Sequence, residues 1–437
     1  MKQFFILLFL LAAMTFPARA DIYPVAEKIE FVKQKETETD SEKEKESGAS
    51  LFLLKWEENR NAVWYDLQIF PQAEYFGRKE MRPPLYEDPH VFRNGLILPM
   101  SILENYKGKG DIYYRVRAIG LDRQIISSFS SPIKIKDKGI FLERTAPVPR
   151  VSYHQGNGTV LLYPAYSFVK LPGAASYEIE VTDEIPENRE GFLPSQHRIW
   201  SATVTLPELF DPQPRIGTFY WRVRGLDEGG NPLGEWSEAQ KIMNDPDENW
   251  EVGILGDSIS HGGGRMSYSP ADWPYNYGYY LDFPTINMSK SGDESYMVRD
   301  RFERDVLPFH VKYLLIMVGT NNLRMGKSVE EEIEDLKILQ QKCRENGIIP
   351  ILLTLPPMNP DNIRKYYHQD TAENWKEAFL EVNDWIRTQE HIDTAKPFES
   401  YEVMPAELAA DGLHPDAEAK KMIADVINEE MKKIRKT

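Results

Sequence analysis

The chain has 437 residues, 41% hydrophobic and 27% charged, with a formal net charge of −16. That length exceeds one core of ordinary size, so two or three domains are expected. The acidic balance argues against a nucleic-acid-binding surface, which needs clustered lysine and arginine to displace counterions.

Lys2, the apolar run Phe4 to Met14 and Ala18-Arg19-Ala20 have the charge, core and small-residue pattern of a secretory signal peptide. Residues 1–20 are therefore expected to be removed near Ala20, and the protein to be exported to the periplasm or beyond the cell. No other run approaches membrane-spanning length, so stable membrane insertion is not expected. Between 33 and 48 the chain is almost entirely Lys, Glu, Thr, Asp and Ser, which cannot bury apolar surface and reads as a solvated tether. The single cysteine, Cys343, cannot form an internal disulfide and lacks metal-ligand spacing, so it reads as a small buried apolar residue.

Strand signals follow. Leu51 to Trp56 and Ala62 to Phe70 are β-rich, and Tyr114-Arg115-Val116-Arg117-Ala118 alternates apolar with charged residues. About a hundred residues later the pattern recurs. Ala174 to Val181 answers Ala62 to Ile69, and Trp221-Arg222-Val223-Arg224 with Gly225-Leu226-Asp227 answers Tyr114 to Arg117 with Gly120-Leu121-Asp122. The repeat predicts two all-β units, 21–143 and 144–247. Trp56, the Ala-x-x-Tyr strand entry and the aromatic-Arg-Val-Arg strand resemble fibronectin type III or related immunoglobulin-like sandwiches. Such modules serve as spacers or as platforms for carbohydrate or cell-surface partners.

After the polar linker around Asp247 the composition changes, and strands alternate with helices. Val252 to Leu255, Pro284 to Asn287, Lys312 to Val318 and Ile348 to Leu355 read as buried strands. Ser328 with Glu331 opens a helix to Arg344 that Gly347 stops, Glu373 to Arg387 reads as another, and Pro415 opens a last one to about Arg435. Residues 248–437 are thus an α/β domain with a mostly parallel sheet, whose ligands belong at the carboxyl ends of the strands.

Four segments of this domain carry chemistry. The first strand delivers Gly256-Asp257-Ser258-Ile259-Ser260, the second Ser291-Gly292-Asp293, and the third Gly319-Thr320-Asn321-Asn322; Asp411-Gly412-Leu413-His414 comes near the end. Ser258 is a candidate nucleophile that needs a base, and His414 can supply it, oriented by Asp411 three residues earlier. The N–H groups of Ser258 and Gly292 and the Asn321 amide are candidate oxyanion donors. Asp257, Tyr268 and Trp273 are expected to touch substrate, the last two from an aromatic stretch between Tyr268 and Phe283. That stretch reads either as a cleft wall or as a helix packing its rings on the sheet.

These four segments resemble the blocks of the SGNH, or GDSL-type, hydrolases. The resemblance implies a flavodoxin-like α/β/α sandwich with no metal or organic cofactor, and an acyl-serine mechanism using Ser258, Gly292, Asn321, Asp411 and His414. Asn322 departs from the aspartate common in the family. His261-Gly262-Gly263-Gly264 echoes the oxyanion loop of other hydrolases without their G-x-S-x-G elbow and reads as a mobile rim. Gly326-Lys327-Ser328 lacks the partner glycine of a phosphate-binding loop. The expected activity is hydrolysis of short-acyl esters of carbohydrates, small or polymeric. The alternatives are a lysophospholipase or thioesterase, and a non-catalytic surface-binding protein on a hydrolase fold.

Overall fold

A computed structural model of the chain describes residues 51–59, 61–71, 83–104, 110–150, 157–188, 193–264 and 268–436. The expected signal peptide (1–20) and charged tether (33–48) lie outside them. Among the described residues no helix is long and apolar enough to cross a membrane.

Among the described residues, the first unit has seven strands: β1 (Leu51–Lys55), β2 (Trp64–Phe70), β3 (Tyr86–Phe92), β4 (Gly95–Pro99), β5 (Tyr113–Ile119), β6 (Ile133–Lys134) and β7 (Ile140–Leu142). They form two antiparallel sheets, ordered β4-β1-β7 and β3-β2-β5-β6. The second unit repeats the plan with β8 (Val148–Pro149), β9 (Ala165–Val169), β10 (Ser176–Thr182), β11 (Arg198–Val204), β12 (Glu208–Phe210), β13 (Gly217–Leu226), β14 (Pro232–Leu233) and β15 (Gln240–Asn244). Its sheets are β12-β9-β8 and β11-β10-β13-β14, with β15 also on β13.

The repeated Arg-Val-Arg motif has a simple cause. In β5 and β13 the central valine, Val116 or Val223, enters the core, while its flanking arginines point to the other face. There the register sets Asp66 opposite Arg117, Glu178 opposite Arg224 and Glu180 opposite Arg222. Each pair closes as an ion pair. The alternation is thus core packing on one side and cross-strand charge pairing on the other.

β1 does not alternate, because both its faces are buried. Phe52 and Leu54 join the core of the first unit, whereas Leu51 and Leu53 join that of the second. The two units therefore share a layer.

In the C-terminal α/β part, β16 (Val252–Gly256), β17 (Thr285–Asn287), β18 (Tyr313–Met317), β19 (Ile349–Leu353) and β20 (His391–Ile392) are ordered β17-β16-β18-β19-β20. All four pairings are parallel. This is the 2-1-3-4-5 order of flavodoxin-like sheets, which places a ligand at the switch point between β16 and β18. Ser328 Oγ accepts from the Glu331 N–H and starts the helix Val329–Glu345; Gly347, at φ +72°, stops it. The later helices span Trp375–Arg387 and Ala417–Ile434, the last capped by Asp416 directly after Pro415. Cys343 is buried in the core, and burial pushes its thiol up to about 12.

Residues 157–163, inside the second unit by sequence, belong to the C-terminal sheet. Leu161 forms a parallel bridge with Asn287. The Leu162 N–H donates to the Asn287 carbonyl (2.8 Å), the Asn287 N–H to Val160 (3.0 Å) and the Gly158 N–H to Thr285 (3.1 Å). The segment is a bridged edge on the sheet beside β17, and Val160, Leu162 and Tyr163 lie in the core of the C-terminal domain. Charge seals a second contact: Arg150 reaches Asn94 of the first unit and Asp272 of the catalytic domain at 3.1 and 3.0 Å. The sequence hides this join because 157–163 has ordinary strand composition, and composition does not say which sheet a strand joins.

Candidate active site

β16 is buried along its whole length and runs straight into the nucleophile turn. Glycine is required at 256, where a Cβ would stand 2.1 Å from the Met317 carbonyl of the neighbouring strand. Asp257 ends the strand, and its carboxylate caps the Ile259 N–H at 2.9 Å, so Ser258 opens the helical turn Ser258–His261. The first N–H of a helix has no intrahelical acceptor, which leaves that of Ser258 free to meet an oxyanion.

Three side chains then line up. Ser258 Oγ lies 2.9 Å from His414 Nε2, and His414 Nδ1 lies 2.8 Å from Asp411 Oδ2. The other carboxylate oxygen accepts the backbone N–H groups of Leu413 and His414, each at 2.8 Å, which fixes the carboxylate in its own turn. Gly412 makes that turn possible at φ +80°, with its Cβ position only 2.3 Å from the Asn359 carbonyl. Because a carboxylate only accepts, Nδ1 carries the proton and Nε2 is the acceptor for the serine hydroxyl. Asp411 is fully buried and Ser258 retains 6% exposure, the side from which substrate arrives.

The oxyanion side is held by cross-links between blocks. Asn321 Nδ2 donates to the Asp293 carbonyl at 2.9 Å, while its Oδ1 accepts from Arg324 Nε at 3.3 Å. These partners fix the amide orientation and leave the second N–H of Nδ2 for an oxyanion. Asn322 clips the second block to the third: its Oδ1 accepts the Ser295 N–H and its Nδ2 donates to Ser295 Oγ, both at 2.9 Å. Gly292 is exposed at φ +89° with open space where a Cβ would point, so the backbone angle, not a crowding neighbour, demands glycine.

The three residues expected to touch substrate each make contacts within the protein. Asp257 is buried as the cap beneath the nucleophile, and burial raises its carboxyl to about 6. Tyr268 is buried against Tyr275, with ring centroids 4.4 Å apart, and its hydroxyl accepts from the Ala410 N–H. It supports the Asp411 loop. Trp273 packs on the core of the second β unit. The aromatic stretch forms two 3₁₀ turns, Trp273–Tyr275 and Tyr277–Tyr280, rather than one continuous helix, and Tyr275 and Tyr277 point inward. Its Pro and Asn residues favour turns over a continuous helix. The glycine loop is no loose rim either. Gly262, Gly263 and Gly264 are buried, and a Cβ on Gly264 would fall 2.3 Å from His414 Cε1. Glycine lets the loop lie flat against the histidine ring.

Several positioning residues escape sequence reasoning. Tyr367 donates to Asp411 Oδ2 at 2.7 Å. Arg301 ties the ends of two strands together through the Gly256 and Met288 carbonyls and pairs with Asp293 and Asp305. Lys420 is fully buried and donates to the Ile259 carbonyl; burial lowers its ammonium to about 7, opposed by Asp257, Asp411 and Asp416. Only its position in the apolar pattern of the last helix marks Lys420, since a lysine there breaks the buried face. His261 is the fourth. Its Nε2 lies 2.7 Å from the Tyr163 carbonyl, a pure acceptor, so Nε2 carries the proton. Nδ1 then accepts the N–H of Ser291 at 3.3 Å, next to Gly292.

Burial holds the His261 imidazole down to about 4. Its folded value therefore lies below the ordinary 6.5, and the unfolded chain binds the extra proton between the two. The contribution of His261 is complete above pH 6.5 and is lost as pH falls towards 4. At about 1.4 kcal/mol per pH unit, the ceiling is about 3 kcal/mol. Denaturant melts of wild type and His261→Gln at pH 7 and 4.5 should show wild type losing more stability on acidification. Equal losses would contradict the assignment.

Chemically, the site can perform acyl transfer. His414 Nε2 takes the Ser258 proton as Oγ attacks an ester carbonyl, and the carbonyl oxygen becomes the oxyanion. Collapse expels the alcohol, which takes the proton from His414, and water repeats the sequence on the acyl-serine.

Residues 254–422 match the model of the GDSL-like Lipase/Acylhydrolase family. Over 175 residues, 39% of this chain and 78% of the relative, the sequence is 27% identical to thioesterase 1/protease 1/lysophospholipase L1 of Escherichia coli (strain K12). Similar solved structures include a putative acylhydrolase from Bacteroides fragilis, 19% identical with a TM-score of 0.36, covering 44% of this chain and 91% of that one. Another is the lipase/acylhydrolase from Enterococcus faecalis, 21% identical with a TM-score of 0.35, covering 42% and 95%. The family match falls on the segments that the geometry brings together around Ser258, so the C-terminal part of this chain is a GDSL-like acylhydrolase domain and the protein an ester-hydrolysing enzyme.

Proposed function

We propose that the protein is an exported serine esterase that removes short acyl groups from polar alcohols, carbohydrates foremost. The observation that carries this reading is the character of the groups around Ser258 and His414. Arg324 joins Asn321 to Gln369 and Tyr367 donates to Asp411, a wall of polar groups, and the Gly264 backbone closes against the histidine ring. A long acyl chain gains about 0.8 kcal/mol per buried CH₂ only against apolar surface, and this wall offers it little. Ser258 and the oxyanion donors act on the ester; the polar wall faces the alcohol. The strand orders of the two β units support reading them as fibronectin III-like modules that could bind carbohydrate or cell-surface partners. The start of the chain, with its charge, apolar core and Ala18-Arg19-Ala20, supports export.

A long-chain reading has one observation in its favour, the similarity to a relative whose name includes lysophospholipase and thioesterase. The two separate in an ester series. p-Nitrophenyl acetate should exceed the decanoate by about tenfold or more in kcat/KM, since pockets discriminate by a few kcal/mol. Acetylated xylose should likewise exceed a lysophospholipid. A rate that climbs with chain length would replace this reading with the lipid-directed one.

A further inference from the structure

Resting on the esterase reading above, we propose that Arg324 binds an anionic group carried by the substrate beside the scissile ester, so that the preferred substrates are acyl esters of acidic alcohols. Arg324 follows β18 at the end of the short helix Thr320–Arg324, three residues after Asn321. Its Nε donates to Asn321 Oδ1 at 3.3 Å and its Nη1 to Gln369 Oε1 at 3.1 Å. One end of the guanidinium is therefore fixed against the oxyanion side chain itself.

What sets Arg324 apart is that it lies partly buried beside the triad without a carboxylate partner. Among the other described arginines of this domain, Arg299, Arg301, Arg304, Arg364, Arg387 and Arg435 each meet an aspartate or glutamate, and only the exposed Arg344 also meets none. Arg324 meets none among the described residues, and its Nη2 donates to no described group, although the side chain is partly buried. The acidic groups that bear on it are the Tyr367 phenol and the Asp257 carboxyl, both around the triad. In a chain of net charge −16, an arginine left without a carboxylate at the reacting centre is a costly arrangement without a use. An incoming carboxylate or phosphate supplies the missing partner through charge-assisted hydrogen bonds to Nη2, for which the planar guanidinium is suited.

The anion can come from an acidic sugar or from a phosphorylated polyol, and paired substrates separate the sources. kcat/KM is measured for an O-acetylated methyl galacturonoside against the O-acetylated methyl galactoside, and for acetyl glycerol phosphate against acetyl glycerol. Wild type should favour the anionic member of at least one pair by about tenfold or more, mainly through KM, and the preferred pair names the source. Arg324→Gln should collapse that ratio towards one, and Arg324→Lys should restore part of it. Circular dichroism checks that both variants are folded. Hydrolysis of all four esters with ratios near one overturns the role of Arg324 and leaves the esterase reading standing. A ratio that survives in Arg324→Gln overturns it also. Failure to hydrolyse any of the four overturns the esterase reading itself.

Discussion

Ser258→Ala is expected to remove nearly all ester turnover, on the order of 10⁴-fold or more, while the protein stays folded. The hydroxyl is the group poised 2.9 Å from the acceptor nitrogen of His414. His414→Ala should cost a similar factor, because nucleophile and base act as a unit and neither works alone. Asn321→Ala should cost less, about 10²- to 10³-fold, as it removes one donor of three. The ranking is the informative part. Asn321 is itself held by Asp293 and Arg324, so its loss disturbs no strand. Rates with p-nitrophenyl acetate, alongside thermal melts, measure all three. Serine-variant activity within tenfold of wild type would remove Ser258 from the mechanism.

The catalytic groups were legible because each follows an apolar strand or sits in a short turn, where spacing alone constrains geometry. On a tight turn a spacing of three lets the Asp411 carboxylate reach one imidazole nitrogen of His414, and the structure has that contact. Tyr367 and Arg301 were not legible. Tyr367 comes to the site from a helix and Arg301 from the turn between two, where the local sequence carries no sign of their destination, and their roles depend on which carbonyl or carboxylate the tertiary fold brings near. The glycine loop was misread for a related reason. Three glycines signal backbone freedom, but freedom serves a mobile rim and a tightly packed wall equally well. Only the His414 ring against Gly264 decides between them. In the β units the Arg-Val-Arg repeat predicted the strands, and the register explained the charges. The double burial of β1 was written in the unbroken run Leu51-Phe52-Leu53-Leu54, which has the pattern of a strand covered on both faces.

A chain beginning at Asp245 is expected to be insoluble or unfolded, although it contains every residue of the triad. It would lack residues 157–163, and with them the edge strand that pairs with β17. Val160, Leu162 and Tyr163 leave the catalytic core with that segment, each at most 3% exposed. At about 1.5–3 kcal/mol per buried side chain the loss is roughly 5–9 kcal/mol, comparable to the whole stability of an ordinary domain. Polar groups are stranded as well. Asp305, fully buried, loses the Tyr163 hydroxyl that donates to it at 2.6 Å. His261 loses the carbonyl that fixes its tautomer, and the Asn276 amide loses the Gly158 carbonyl at 2.6 Å. β17 would also become an uncovered edge, open to pairing with another molecule. Joining residues 157–163 through a Gly/Ser linker to Asp245 should recover soluble, active protein, at least in part, because it restores the strand without either β unit. Size-exclusion chromatography, circular dichroism and p-nitrophenyl acetate hydrolysis compare the two chains. If the shorter chain is monomeric, melts cooperatively and matches the full-length rate within a few-fold, the bridged segment 157–163 is dispensable and the catalytic domain ends where the linker begins.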